Sequence, residues 1–261
     1  MPYICQDFLP LSPWIKVATR KLPGVQPVKS ERFFLVDEVF KLQLEYREKL
    51  LNSNRKKVYF SDFDSEEVAQ ELLNFVLKEL RKNELYSFEE QSVRRPDGVI
   101  VDLVNEDPLS VAARLVQEDL LLLRKERFEH ILRAGVLCFP ASWTLNEKKG
   151  KSLTNIHGPV VEYDKNIASR VEKMFSNLRP EVPIWRANYL FYEDYELFQP
   201  RLETDERGNP HKEKLKYMRV ERQTLKKLDE SEVILFAIHT FVVPYKKLSD
   251  HQKQSLKEML V

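Results

Sequence analysis

Apolar positions recur at helical spacing early in the chain and in alternating or continuous runs late in it. From Val36 to Leu51 the residues Val36, Val39, Phe40, Leu42, Leu44 and Leu51 predict a helix. Asp37 is placed to cap it, since its carboxylate can accept from first-turn amides. A second helix begins at Ser61, Asp62 or Ser65 and runs to about Asn83, with Val68, Leu72, Leu73, Phe75, Val76 and Leu80 as its core face. Asp97-Gly98 marks a turn, and Gly98 to Val104 reads as a short strand. Pro108 suits the first turn of a third helix ending near His130. Its apolar positions cover too much of the circumference for a surface helix, so it is expected to be buried on more than one side.

The second half reads mostly as strands. Ala134 to Phe139 is an apolar run broken by Pro140, and Pro183 to Glu193 is an aromatic-rich strand. Tyr217 to Leu228 alternates, and Glu232 to Tyr245 is almost continuously apolar, as in a central strand. The short link between these two predicts an antiparallel hairpin. Helices are expected from Lys165 to Leu178 and from Ser249 to Leu260. Helices clustered early and strands clustered late argue for an α+β fold. No repeat or linker divides the chain, so 1–261 reads as one domain. Within it, 1–35 is a proline-rich extended arm and 199–216 a polar, solvated or mobile loop.

Composition narrows the function classes. Lys+Arg of 42 against Asp+Glu of 41 leaves a formal net charge of +1, so no global field draws in nucleic acid or an anionic membrane. No apolar stretch reaches the ~18 residues needed to span a bilayer, and the first residues lack the pattern of a signal peptide. Two cysteines, Cys5 and Cys138, lie far apart. They fit a reducing, cytoplasmic setting better than a disulfide framework.

Phosphate loops, nucleophile elbows, HExxH and paired CxxC motifs are absent. The remaining candidates are spread over several elements. His157 stands between Ile156 and Gly158-Pro159, which stops any helix and fixes the ring at the rim of an element. It is either a metal ligand or proton carrier, or a hydrogen-bonded turn histidine. His239, within an apolar strand, reads as a neutral buried histidine or as a second ligand. His130 suits a helix C-terminus, and His211 and His251 read as exposed. Cys138 is a thiolate ligand or a small buried hydrophobe. Arg219, Glu221 and Arg222 are charges on a strand built for burial, and they need partners or an anionic ligand. Trp185, Arg186, Asn188 and Tyr189 alternate large bodies with polar tips, as core or as a cofactor wall.

Several blocks together resemble one family: VQEDLLLL (116–123), AGVLCFPASW (134–143), EKKGKSLTNIHGPVVEY (147–163), WRANY (185–189), and RVERQTL (219–225) followed by IHTFVVP. It is the haem-dependent oxidative N-demethylase alpha-subunit-like family, and the likeness runs from about Phe34 to Pro244. The resemblance implies a PAS-like curved antiparallel sheet with flanking helices and an N-terminal helical extension. It also implies haem b held by a histidine, and oxidative N-demethylation of a small secondary amine such as dimethylamine, releasing formaldehyde. Electrons would come from NADPH through separate flavin and iron–sulfur partner chains. By the same resemblance His157 is the iron ligand, and Arg219, Arg222, Trp185 and Arg186 contact the cofactor. Tyr163 and Glu221 are the catalytic residues, with Tyr163 donating to substrate or oxygen. His239 stands where the family often has arginine. A non-catalytic haem or gas sensor and an interaction module are the alternative readings.

Overall fold

The apolar run around Leu235 to Val243 forms the axis of a seven-stranded antiparallel sheet. In the computed structural model, residues 3–20, 24–28, 32–62, 66–159, 164–205 and 216–259 are described. The first part contains α1 (Val17–Arg20), β1 (Gln26–Pro27), α2 (Phe40–Ser53), α3 (Arg55–Val58), β2 (Tyr59–Ser61) and α4 (Glu67–Leu80). A small antiparallel sheet of β3 (Ser87–Phe88), β4 (Ser92–Arg94) and β5 (Ile100–Asp102) follows, then α5 (Pro108–Leu115). The hairpin β6 (Asp119–Glu126) and β7 (Glu129–Val136) leads into α6 (Leu145–Lys148), α7 (Leu153–Ile156) and α8 (Lys165–Ser176). Last come β8 (Ile184–Tyr192), β9 (Tyr217–Lys227), β10 (Ile234–Pro244), a 3-10 turn (Tyr245–Lys247) and α9 (Asp250–Met259).

The large sheet has the order β1-β8-β9-β10-β6-β7-β2. The hairpin β6–β7 and the meander β8–β9–β10 are thus joined side by side, β6 against β10, with Leu122 opposite Leu235 and Leu120 opposite Ala237. On one face, Leu120, Leu122, Leu235 and Ala237 pack with α2, α4 and α5. Further along that face Ala187, Met218, Val220, Phe241 and Val243 pack with Trp14 of the N-terminal arm and Leu256 of α9. On the other face, Leu121, Leu225 and Ile238 pack with Leu153 of α7 and Phe175 of α8. Burying such a leucine stabilises the fold by roughly 1.5–3 kcal/mol. Gly135 lies opposite Leu121 on this second face. A Cβ there would meet Leu121 Cδ2 at 2.5 Å and the Leu120 carbonyl oxygen at 3.1 Å.

The α+β class and the β9–β10 hairpin match expectation, but the long third helix does not. α5 starts as expected, with Pro108 in its first turn and Asp107 accepting from Ser110 N at 2.9 Å. It stops at Leu115 because side chains from elsewhere take its last carbonyls. Arg47 donates to Ala113 O and Val116 O, and Tyr86 Oη donates to Leu115 O at 2.8 Å. The leucine run beyond it is the interior strand β6, next to β10 and buried on both faces. His130 consequently sits on β7 rather than at a helix end, with Nδ1 2.6 Å from Glu172 Oε2 of α8.

Three smaller differences follow from tertiary contacts. Asp37 precedes α2 by three residues and serves a buried network rather than the helix start alone. The strand expected over 98–104 shortens to β5. The arm is mostly extended but includes the single-turn α1, and it reaches the sheet edge as β1. Both cysteines are free and buried, and no helix among the described residues is long and apolar enough to cross a membrane.

Candidate functional site

α7 is a single turn begun by Ser152, whose side chain accepts from Asn155 N. His157 follows as its last capping residue, and Gly158-Pro159 turns the chain away. His157 Nδ1 lies 2.9 Å from the carbonyl oxygen of Leu153. A carbonyl only accepts, so Nδ1 carries the proton and Nε2 is the lone-pair nitrogen of the neutral ring. Burial, and then the nearby cations of Arg186 and Lys148, hold this imidazole below its ordinary pKa against that hydrogen bond. The turn is fixed from below: Lys148 Nζ, itself buried, donates to Ile156 O and to Glu203 Oε1, each at 2.6 Å.

The sheet face toward His157 is polar where β8, β9 and β10 run side by side. In register, Arg186 stands opposite Gln223, and Asn188 opposite Glu221, which in turn lies opposite Thr240. Glu221 is almost fully buried and accepts from Arg219 Nη2 at 3.1 Å, Asn188 Nδ2 at 3.3 Å and Gln223 Nε2 at 3.2 Å. Arg219 also donates to Leu197 O at 3.0 Å and to Phe139 O, tying this strand to two loops. Arg186 is different. It has no hydrogen-bond or ion-pair partner among the described residues, and its Nε is buried. Burial lowers its pKa, with the Glu221 carboxylate opposing the shift.

Strand alternation divides the expected site residues. Arg219, Glu221 and Arg186 share the His157 side of the sheet, whereas Arg222 and Trp185 lie on the other side. There the Arg222 guanidinium stands 5.9 Å from the Trp185 ring and donates to Phe33 O at 3.0 Å and Arg32 O at 3.4 Å. These two residues come together, but not with His157. Tyr163 and His211 lie outside the described residues. His239 also faces away from His157. Its Nδ1 is 3.1 Å from Glu118 Oε1 and its Nε2 3.2 Å from Asp37 Oδ2. Burial disfavours its charge, but the Glu118 and Asp37 carboxylates prevail and push its pKa up to about 9. It is therefore an imidazolium at neutral pH, with both nitrogens engaged by carboxylates.

Residues 24–260 match the family described as haem-dependent oxidative N-demethylase, alpha subunit-like. The chain belongs to that family. Among the described residues no three His, Cys, Asp or Glu side chains are grouped to hold a metal ion directly. A haem makes no such demand, because the macrocycle carries the iron and the protein adds an axial side chain. The arrangement can offer two things to that family's cofactor: an imidazole of defined tautomer and a desolvated guanidinium with no ion-pair partner among the described residues.

Some of the surroundings carried no sequence signal. Lys148 sits in a run of lysines and reads as solvated, yet it is buried against Glu203. Of the stretch expected as a solvated or mobile loop, 199–205 are described: 202–205 are exposed, and the segment is tied at a few points. Ala141 bridges Gln199, Ser142 N donates to Gln199 O at 3.0 Å, and Glu203 N donates to Glu147 Oε1 at 3.0 Å. Arg201 lies in this tied segment.

Proposed function

We propose that this chain binds haem b on the sheet face bearing Arg186 and Glu221, with His157 as the iron ligand. On this reading it is a monooxygenase that demethylates a small secondary amine of the dimethylamine kind. The overall change takes an N-methyl amine, dioxygen, two electrons and two protons to the demethylated amine, formaldehyde and water. The observation that carries the reading is the pairing of a neutral, Nδ1-anchored histidine with a desolvated arginine that lacks a partner among the described residues. Leaving a guanidinium desolvated and unpaired is costly, and a propionate carboxylate is the partner its fork geometry suits.

When bound, haem supplies the redox chemistry that no side chain provides. The residues of the chain do the rest. His157 presents Nε2, and the Leu153 carbonyl keeps the ring in that tautomer. Arg186 receives a carboxylate of the cofactor. Arg219 stiffens the wall by holding Glu221, and Glu221 gives the site an anionic group that balances Arg186. The apolar surface of Leu121, Leu225, Phe236 and Ile238 keeps water away from this side of the sheet. Tyr192 Oη and Ser142 Oγ, 3.0 Å apart, can carry a proton toward it. Arg222 and Trp185 act from the reverse side by holding the segment at Phe33 on β9.

The same reading takes the sheet, with its hairpin and meander joined at the centre and helices on both faces, as a PAS-like haem-holding domain extending over 1–261. Reducing equivalents come from NADPH through separate flavin and iron–sulfur chains, in a cytoplasmic setting that suits two free cysteines.

Visible spectra of the purified protein, oxidised, reduced and reduced under carbon monoxide, test this reading beside His157→Ala. A Soret band that shifts with carbon monoxide, and is lost or altered in the variant, is expected. Amine-dependent formaldehyde release should accompany it once an electron donor is supplied. Failure to take up haem on reconstitution would overturn the reading, and a carbon-monoxide-responsive haem that never releases formaldehyde would leave a sensor instead.

A further inference from the structure

Arg186 shares its condition with a second arginine. Arg201, in the tied segment after β8, also lacks a hydrogen-bond or ion-pair partner among the described residues, and its Nε is buried. It lies near Tyr192: burial raises that phenol, while the cations of Arg219 and Arg201 oppose the rise. Tyr192 Oη and Ser142 Oγ share one hydrogen bond at 3.0 Å, so between them one hydroxyl proton remains to be donated.

Among the described residues, the arginines and lysines on this side of the sheet are not all ion-paired. Arg219 is paired with Glu221, and Lys148 and Lys151 with Glu203, at 3.1, 2.6 and 3.6 Å. Arg186 and Arg201 have no ion-pair partner among the described residues, and the only carboxylate acting on Arg186 there is Glu221, already held by Arg219. Arg186 is near the His157 end of β8, and Tyr192 closes the strand six residues later, about 20 Å along it. A single carboxylate cannot serve both arginines. A plain alkylammonium would meet these two arginine cations and a Glu221 whose oxygens already accept three hydrogen bonds.

We propose that the substrate of this chain is a secondary amine that also carries a carboxylate, an N-methylated amino acid, with Arg201 receiving the carboxylate beside the Tyr192–Ser142 hydroxyls. This rests on the haem-enzyme reading above, and it changes the substrate from a simple amine to a zwitterion. Arg201 is the specificity-determining residue.

Calorimetric titration with N-methylglycine, dimethylamine and acetate tests it on wild type, Arg201→Gln, Arg201→Lys and Tyr192→Phe, with haem content read from the visible spectrum of each preparation. Wild type is expected to bind N-methylglycine at least about tenfold more tightly than dimethylamine. Arg201→Gln should erase that preference with haem content unchanged, and Arg201→Lys should restore part of it. Tyr192→Phe should weaken N-methylglycine and not dimethylamine, which keeps the test decisive if Arg201→Gln folds poorly. Equal or tighter dimethylamine binding in wild type, or a preference that survives Arg201→Gln, would overturn the proposal. Haem loss in Arg201→Gln would assign Arg201 to the cofactor and overturn it too. A wild type without haem that still binds N-methylglycine through Arg201 would sink the haem reading and leave the carboxylate site standing.

Discussion

His239, with no exposed surface, holds its Nδ1 3.1 Å from Glu118 Oε1. Asp37 closes the other side at 3.2 Å, and it also accepts from Gln6 Nε2 at 2.8 Å and Gln117 Nε2 at 2.7 Å. The cluster pins the arm, the segment before α2 and the start of β6 onto β10. Its pKa, about 9 in the fold against an ordinary 6.5, sets the sign of its pH dependence. Protonated His239 stabilises the fold fully below about pH 6.5, and that contribution disappears as pH rises through 9. Its size is of the order of 3 kcal/mol. Urea unfolding at pH 6.5 and 9.5 should show a loss of that order in wild type and a flatter profile in His239→Gln. Equal slopes in the two proteins would mean that the imidazolium is not the group responsible.

Arg186 supplies a prediction of opposite sign for stability and for binding. Its cation is desolvated with no hydrogen-bond or ion-pair partner among the described residues, so Arg186→Met removes a cost from the haem-free protein. The variant is expected to melt at the same temperature as wild type or higher, by up to about 2 kcal/mol of stability. Haem retention should fall at the same time. A variant that is destabilised when haem-free would show that Arg186 has a structural partner in solution.

How much of this was legible in the chain depends on where the determining contact sits. The strands β8, β9 and β10 declare themselves by alternation and by an apolar run, both local properties. Strand parity alone already separates Arg222 from Arg219 and Glu221. The error over 108–130 has a definite cause. A continuous leucine run fits a buried helix and a two-sided buried strand equally well, and the groups that end α5, Arg47 and Tyr86, come from sixty-odd and about thirty residues upstream. The fixed position of His157 is readable from Gly158-Pro159. The clamp that holds it is not, because Lys148 among lysines and Glu203 in an acidic stretch look solvated until the two segments meet. Arg201 was hidden for the same reason.

That clamp can be probed directly. Lys148→Met removes a cation that helps keep His157 neutral, and it leaves the Ile156 carbonyl and Glu203 without their 2.6 Å donor. The His157 pKa is expected to rise, followed by proton NMR titration of the haem-free protein. Stability should fall by about 1–3 kcal/mol for the acceptors left unsatisfied. Glu203→Gln keeps the Lys148 cation, so it should move the His157 titration less. A His157 titration unchanged by Lys148→Met would show that the lysine acts on packing alone.

Arg47 and Asp119 test the junction on which both sheet faces depend. Their ion pair is 2.9 Å long with both side chains at most 1% exposed. Arg47 also donates to Gln117 O at 2.7 Å, and Asp119 accepts from Cys138 N at 2.9 Å and Phe139 N at 2.8 Å. One pair therefore joins the end of α5, the start of β6 and the segment after β7. Arg47→Met leaves the Asp119 carboxylate buried without its cation and uncaps three carbonyls. A loss of about 3–5 kcal/mol in chemical unfolding is expected. Asp119→Asn added to Arg47→Met removes the stranded charge while keeping an acceptor for one of the two amides, Cys138 N and Phe139 N, which donate to different carboxylate oxygens. The double variant should thus recover part of the loss, giving a coupling energy above about 0.5 kcal/mol. Strict additivity of the two substitutions would mean that the charge pair itself contributes little and that the carbonyl cap is what matters.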